Sequence, residues 1–218
     1  MRVKVFVLGR PGSGKSTAAR QVNCLFRQNG CLARHINDYE ILREMFLEDI
    51  QHLKFQPTEH NGFDAIDLTV MDIALQKVQE KVQECLSSVD VVTIEFARND
   101  YHEALQQFDP TVLKDAYFLF LDADIETCLR RVHERVERST SGDDHPSFSD
   151  DLFRSYYDKE NREYMIHRLQ KEFDICKQVK VINNTGPFED FVTHVEQFAN
   201  TILEQEIRVL EPAILLKE

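Results

Sequence analysis

Five short segments of the chain are mostly apolar, and longer stretches with many polar residues separate them. They comprise residues 3–8, 31–36, 89–94, 116–121 and 179–182. A strand that is buried on both faces gives a nearly continuous apolar pattern, whereas a strand with one solvated face alternates. The pattern therefore predicts five strands of a parallel sheet.

Apolar residues recur at helical spacing between these strands. One stripe covers residues 188–202, and Pro187, Glu189 and Asp190 stand where a helix typically begins. A second stripe covers residues 66–85. Strands that alternate with helices predict an α/β fold with right-handed crossovers and helices that flank the sheet.

Two of the connections are longer than a single crossover helix requires. The connection after the second strand predicts two helices, near residues 39–53 and 63–86, joined by a loop at 54–62 that is rich in turn-forming residues. The connection after the fourth strand spans residues 122–173, and residues 139–146 in it predict a mobile flap between two helices. Both connections begin at the carboxyl end of a strand, where open α/β sheets bind ligands.

Composition narrows the choice of partners. The 218 residues include 26 Lys and Arg against 38 Asp and Glu, a formal net charge of −12, so a long nucleic acid is an unlikely partner. No apolar run approaches the roughly 18 residues that a membrane helix needs, and we expect no membrane partner. Five scattered cysteines without C-x-x-C spacing favour reduced thiols and a cytoplasmic location. The oligomeric state is not predictable from these features.

The strongest motif directly follows the first predicted strand. It matches G-x-x-x-x-G-K-[ST] and consists of Gly9, Arg10, Pro11, Gly12, Ser13, Gly14, Lys15 and Ser16, followed by Thr17. Glycines let successive backbone N–H groups turn towards phosphates, and the next helix adds its N-terminal dipole. Lys15 adds a point charge and Ser16 a hydroxyl for Mg²⁺. The segment therefore predicts a phosphate-binding loop for a nucleotide.

This loop resembles that of the P-loop kinases, the group that contains nucleoside monophosphate kinases, gluconate and shikimate kinases, polynucleotide kinases and zeta toxins. The chain lacks the N-K-x-D element of GTPases, so the resemblance implies ATP as the nucleotide. It also implies one kinase domain over residues 1–218 with sheet order 2-3-1-4-5. An acceptor-binding helical insertion at about 38–88 and a lid at about 127–160 would belong to that domain.

Asp38 follows the second predicted strand. In the kinases that the chain resembles, an acid at this point contacts the acceptor, and for an alcohol acceptor it serves as the general base. The other interpretation is helix capping, because Asn37 or Asp38 could satisfy the free N–H groups of the helix that begins near Tyr39.

Glu95 and Arg98 stand at the end of the third predicted strand. Four apolar or β-branched residues followed by an acid form the Walker B pattern, in which the carboxylate holds Mg²⁺, so Ser16 and Glu95 are the predicted metal ligands. Arg98 is similar to an arginine that faces the acceptor in adenylate and deoxynucleoside kinases. The chain lacks the glycine and proline of the adenylate kinase pattern, which argues against a monophosphate acceptor.

Arginines recur at helical spacing after the fourth strand. Arg131, Arg135 and Arg138 share one face, and an acidic chain that clusters cations predicts an anion there. Arg131 and Arg135 are therefore expected to bind ATP and to stabilise the transferring phosphoryl group. The alternative is a solvated helix in which Arg130 and Arg138 pair with Glu134.

Together these residues predict a Mg·ATP-dependent phosphotransferase with Lys15, Asp38, Glu95, Arg131 and Arg135 as its catalytic residues. A small alcohol, nucleoside or nucleotide is the expected acceptor. One alternative is a kinase of polynucleotide 5′-hydroxyls or of sugar nucleotides, because residues 146–157 resemble the helix after the lid in polynucleotide kinases. Another is a nucleotide-sensing regulatory protein that docks a partner through residues 209–216.

Overall fold

A parallel sheet of five strands forms the centre of the protein. The computed structural model describes residues 2–58, 62–138 and 149–207. The sheet strands are β1 (Val3–Gly9), β2 (Ala33–Asn37), β5 (Val91–Phe96), β6 (Ala116–Asp122) and β7 (Val179–Asn183). This arrangement confirms the α/β class, and each predicted strand lies within two residues of an observed one at both ends.

The strands lie side by side in the order β2-β5-β1-β6-β7. This differs from the expected numbering 2-3-1-4-5 because a separate hairpin, β3 (Phe55–Pro57) with β4 (Phe63–Ala65), takes two numbers between β2 and β5. When the five strands of the central sheet are counted alone, their order reads 2-3-1-4-5. The phosphate loop therefore leaves the middle strand of the sheet.

The apolar side chains of the sheet pack into two separate cores, one on each face of the sheet. In β1, Val3, Val5 and Val7 point to one face, and Phe6 and Leu8 point to the other. Both faces are covered, which explains why the strand sequences are continuous rather than alternating.

The helices divide between these faces. On the first face lie α1 (Lys15–Gln28) and α10 (Phe188–Ile207), which also pack on each other. The opposite core draws on α2 (Asp38–Glu48), α3 (Thr69–Cys85), α4 (Tyr101–Leu105), α5 (Pro110–Lys114), α8 (Arg162–His167) and α9 (Leu169–Glu172). The second long connection contributes α6 (Ile125–Arg138) and α7 (Asp150–Tyr156).

The first long connection differs from the predicted pair of helices. Helix α2 ends at Glu48 rather than at 53, because the Asp49 carboxylate accepts the backbone N–H groups of Leu53, Lys54 and Phe55 and turns the chain. The prediction that a helix begins at residue 63 is wrong, since residues 63–65 form strand β4.

Aromatic packing accounts for this hairpin. The rings of Phe55 and Phe63 meet edge to face at 5.4 Å, and Phe63 stacks on Phe46 at 4.9 Å. Both Phe55 and Phe63 are buried, so the packing of these large rings outweighs helical propensity in this short segment.

The predicted flap at residues 139–146 lies outside the described residues, as do residues 209–216. Within the part of the chain that the structure describes, no helix has the length and apolar character to cross a membrane.

Candidate active site

The phosphate loop lies between the end of β1 and the start of α1. Parallel pairing sets Val7 beside Glu95 and Leu8 beside Phe96, so the loop emerges next to the end of β5. Gly12 has a φ of +81°, and a Cβ there would stand 2.4 Å from the Cys128 carbonyl oxygen. A side chain at this position would therefore collide with the start of α6 as well as strain the backbone.

Lys15 is buried beneath the loop. Its Nζ donates a hydrogen bond of 2.9 Å to the carbonyl oxygen of Arg10. Burial lowers the pKa of Lys15, and the neighbouring carboxylates of Glu95 and Asp38 oppose that shift. The ammonium group thus stands between the loop backbone and two acids.

Ser16 and Glu95 meet at the predicted metal position. The Ser16 hydroxyl donates to Glu95 Oε1 at 2.7 Å, and His35 Nε2 lies 2.9 Å from Glu95 Oε2. Burial alone would raise the pKa of Glu95, but His35, Lys15 and Ser16 together hold it below its usual value. Glu95 therefore remains ionised despite its burial.

Asp38 and Arg98 form a buried ion pair across the next part of the cleft. Arg98 Nη1 donates to Asp38 Oδ2 at 2.5 Å, and the two side chains are only 4% and 8% exposed. Burial raises the pKa of Asp38 and the guanidinium opposes the shift. The cap of α2 is Asn37, whose side chain accepts the N–H of Tyr39, so Asp38 is not needed for capping.

The arginines of α6 separate into two groups. Arg131 and Arg135 line the cavity together with Val132, whereas Arg130 pairs with Glu134 at 3.1 Å on the solvent side. Arg138 is exposed and outside the cavity lining. The salt-bridged alternative therefore describes Arg130, and the anion-binding interpretation concerns Arg131 and Arg135.

Arg10 belongs to the predicted loop, but its side chain points away from the loop. Its guanidinium donates to the carbonyl oxygens of Ala123, Tyr157 and Lys159 and pairs with Glu160. Arg10 therefore faces the connection between α7 and α8 with its side chain, and the loop with its backbone.

Sequence reasoning missed three residues around the loop. Tyr101 OH accepts the Gly9 N–H at 2.7 Å, and Asn184 Nδ2 donates to the Ser13 carbonyl at 2.7 Å. His35 contacts Glu95 as described above. Polar residues at the ends of β2 and β7 were a usable signal for His35 and Asn184, whereas nothing near Tyr101 in the sequence marks its contact with Gly9.

One cavity of about 680 Å³ connects these groups. Its donor side, towards β6 and β7, is lined by the loop residues Pro11, Gly12, Gly14, Lys15, Ser16 and Thr17, and by Arg20, Arg131, Val132, Arg135, Asn184, Gly186, Phe188 and Phe191. Its acceptor side, towards β2 and β5, is lined by His35, Asn37, Asp38, Tyr39, Leu42, Ala97, Arg98 and Tyr157, and Glu95 lies on the border of the two sides. The volume lies in the range of small-molecule sites.

The donor side has the features that a nucleotide and Mg²⁺ require. Gly12 and Gly14 have positive φ and lie so close to Cys128 and Asn184 that only glycine fits the conformation of the loop, and Lys15 supplies a cation. Ser16 and Glu95 offer two hard oxygen ligands, and Mg²⁺ usually completes its shell with substrate phosphates and water. The described residues contain no cluster of three or more His, Cys, Asp or Glu side chains that could hold a metal ion by itself. The residues therefore fit Mg·ATP.

The fold recurs in solved structures of low sequence identity. Kti12 of Chaetomium thermophilum in complex with ADP-AlF3 is 15% identical, with a TM-score of 0.58 over 92% of this chain and 97% of that one. A sugar kinase of a Janibacter species is 19% identical, with a TM-score of 0.52 over 92% and 95%. A gluconokinase of Sinorhizobium meliloti is 14% identical, with a TM-score of 0.52 over 94% and 98%. No curated protein matches the sequence significantly.

These similarities and the loop geometry define a P-loop protein whose fold resembles the P-loop kinase group. Sequence comparison identifies the family. A family model described as "AAA domain" matches residues 8–148, more than half of the chain. The protein belongs to this AAA domain family.

Proposed function

We propose that the protein is a Mg²⁺-dependent ATP phosphotransferase that acts on a small hydroxyl-bearing acceptor. One observation carries the proposal. Lys15, Glu95 and Asp38 line the same cavity, so phosphate-binding groups and a buried carboxylate face a common space. A protein that only binds nucleotide has no need for that carboxylate, whereas transfer to an alcohol needs a group that receives the hydroxyl proton.

The donor side would hold ATP through backbone N–H groups of the loop and through Lys15. Ser16 and Glu95 would hold Mg²⁺, which when bound supplies positive charge that neutralises the phosphate oxygens. Arg131 and Arg135 on α6 lie where their guanidinium groups face the same space, and bidentate contacts of arginine suit a phosphoryl group.

The acceptor side would orient the hydroxyl. Asp38 uses Oδ2 to bind Arg98, and no donor among the described residues bonds to its Oδ1. We assign Oδ1 as the atom that accepts the hydroxyl proton while the new O–P bond forms. A pKa that burial raises makes Asp38 a stronger base than an exposed aspartate.

Replacement of Lys15 by Ala tests the donor assignment. We expect ATP affinity to fall and turnover to drop roughly 10²–10³-fold, because a preorganised cation for the phosphates is lost. Lys171→Ala, which removes an exposed lysine of α9, is the matched control and should behave as wild type. Calorimetric ATP binding and phosphate transfer to a panel of alcohols, sugars and nucleosides are the measurements.

Two results would contradict the proposal. Unchanged ATP affinity in Lys15→Ala would remove the phosphate-loop assignment. ATP binding with no transfer to any alcohol in the panel, and with Asp38→Asn indistinguishable from wild type in ATP hydrolysis, would favour a nucleotide-sensing regulatory protein instead.

A further inference from the structure

The pairing of Asp38 with Arg98 bears on the class of acceptor. We propose that the acceptor side of the cavity selects a neutral hydroxyl compound and rejects groups that carry phosphate or carboxylate. The inference rests on the proposed function and deepens it, since it concerns the same cavity.

Arg98 makes three hydrogen bonds through its two terminal nitrogens. Nη1 bonds to Asp38 and, at 2.6 Å, to the carbonyl oxygen of Ala97, while Nη2 donates to the carbonyl oxygen of Met71 at 2.7 Å. Nε of Arg98 has no hydrogen-bond partner among the described residues, but it is buried in protein and out of reach of a ligand in the cavity. An anionic acceptor would have to displace Asp38 from the guanidinium, and that exchange would leave a buried carboxylate without its partner.

The other cations of the cavity face elsewhere. Lys15 bonds to the loop carbonyl of Arg10. Arg20, whose guanidinium donates to the Thr17 hydroxyl, and Arg131 and Arg135 of α6 lie on the donor side. His35 lies against Glu95. The acceptor side therefore presents one arginine, which Asp38 neutralises, beside the second carboxylate of Glu95. An anion that enters this side meets a guanidinium whose charge Asp38 already neutralises.

The remaining lining suits a neutral molecule. Tyr39 stacks on Phe63 at 5.7 Å with nearly parallel rings, and Leu42 is buried beside the cavity. These side chains offer apolar contact, while Asn37 and the open Oδ1 of Asp38 offer polar groups for hydroxyls. Neutral polyols, sugars and nucleosides combine these two properties, whereas their phosphates and acids add a charge that the site does not balance.

The first experiment uses the wild-type chain. Its donor side is filled with Mg²⁺ and a non-hydrolysable ATP analogue, and sulfate is then titrated by calorimetry at constant ionic strength. We expect no further sulfate binding.

In parallel, transfer from ATP is measured with matched pairs of acceptors. One pair is a nucleoside and its 5′-monophosphate, and the other is a sugar alcohol and the corresponding sugar acid. We expect the neutral member of a pair to be the better acceptor.

The second experiment frees Arg98 by the change Asp38→Asn, which keeps the size of the side chain. We expect sulfate affinity to rise at least about tenfold, the effect of one charge-assisted contact. Glu126→Gln, which breaks the exposed pair of Glu126 with Arg154, is the matched control and should leave sulfate binding unchanged. Circular dichroism checks that both variants fold.

Three outcomes would overturn the proposal. The first is that the wild type binds sulfate and that Arg98→Gln abolishes this binding. The second is that a folded Asp38→Asn binds sulfate no better than the wild type. The third is that the anionic member of a matched pair is the better acceptor. If Asp38→Asn does not fold, the wild-type titration and the matched acceptors still decide. Failure to bind the ATP analogue would instead refute the proposed function, so the two failures are distinguishable.

Discussion

The donor and acceptor sides of the cavity place charge in different ways. On the donor side, one short continuous segment supplies most of the groups that would face phosphate, and the cations of Lys15, Arg131 and Arg135 line the cavity there. On the acceptor side, the central pair joins Asp38 and Arg98, which are 60 positions apart, and each neutralises the other. The cations of the donor side would attract an anion, whereas the ion pair of the acceptor side keeps the Asp38 carboxylate in place to accept a proton.

The difference teaches where the two specificities arise. Backbone N–H groups held by glycine conformation can bind any phosphate, so a local motif is sufficient for phosphate binding on the donor side. Acceptor recognition depends on which distant side chains neutralise each other, so it changes with the fold and not with a motif. The following three changes test this contrast, and they run from the largest expected effect to the smallest.

The largest effect is expected at Asp38. Asp38→Asn should lower the rate of transfer by roughly 10²–10⁴-fold, the range for loss of a general base, while ATP affinity stays within about twofold. In the wild type the rate should rise with pH through the pKa of Asp38, which burial raises, because only the ionised carboxylate accepts a proton. Single-turnover rates against pH measure both effects. If the transfer rate of the variant still falls at low pH as it does in the wild type, Asp38 is not the base.

A smaller effect is expected at Glu95, on the border of the two sides. Glu95→Gln keeps the size of the side chain but removes the charge, so turnover should fall roughly 10²-fold and require more Mg²⁺. Initial rates over a Mg²⁺ titration measure the change. Equal Mg²⁺ dependence in variant and wild type would remove Glu95 from the metal site.

The same variant has a consequence for stability. The folded protein holds the pKa of Glu95 below its usual value, so the ionised form stabilises the fold at neutral pH and this contribution is lost as pH falls through the folded pKa. The unfolding free energies of wild type and Glu95→Gln should therefore converge in acid. Denaturant unfolding at neutral and acidic pH checks this sign.

The smallest effect is expected on α6. Arg131→Ala should reduce turnover by about tenfold, the effect of one contact to a charged phosphate, with a matching loss of ATP-induced protection from hydrogen exchange in residues 125–138. Arg130→Ala is the control on the same helix, because Arg130 pairs with Glu134 in solvent. Equal behaviour of the two variants would mean that the helix acts only as a surface element.

Local patterns predicted the sheet and the phosphate loop because both depend on neighbouring residues. Continuous apolar segments identified all five sheet strands, and eight consecutive residues identified the loop. The carboxyl ends of strands also indicated Asp38, Glu95 and Arg98 as candidates. Their roles stay predictions, since chemistry at the site depends on ligands as well as on positions.

Contacts between distant residues account for what the sequence did not reveal. The hairpin at 55–65 forms because Phe55, Phe63 and Phe46 pack on one another, and helical spacing in the following segment conceals that packing. Mutual neutralisation of Asp38 and Arg98 requires α2 and the end of β5 to meet, and only the folded chain shows that. The contact of Tyr101 with Gly9 spans 92 positions and has no local signature.

The side chain of Arg10 has a consequence for the order in which the chain acquires its structure. Its hydrogen-bond partners lie 113 to 150 positions further along the chain. Because synthesis proceeds from the N-terminus, the phosphate loop is made before any of these partners, and the last of them, Glu160, follows Arg10 by 150 positions. The contacts of Arg10 are therefore complete only once the segment around Tyr157 has been made, and a truncated chain that lacks this segment would leave Arg10 without most of its partners.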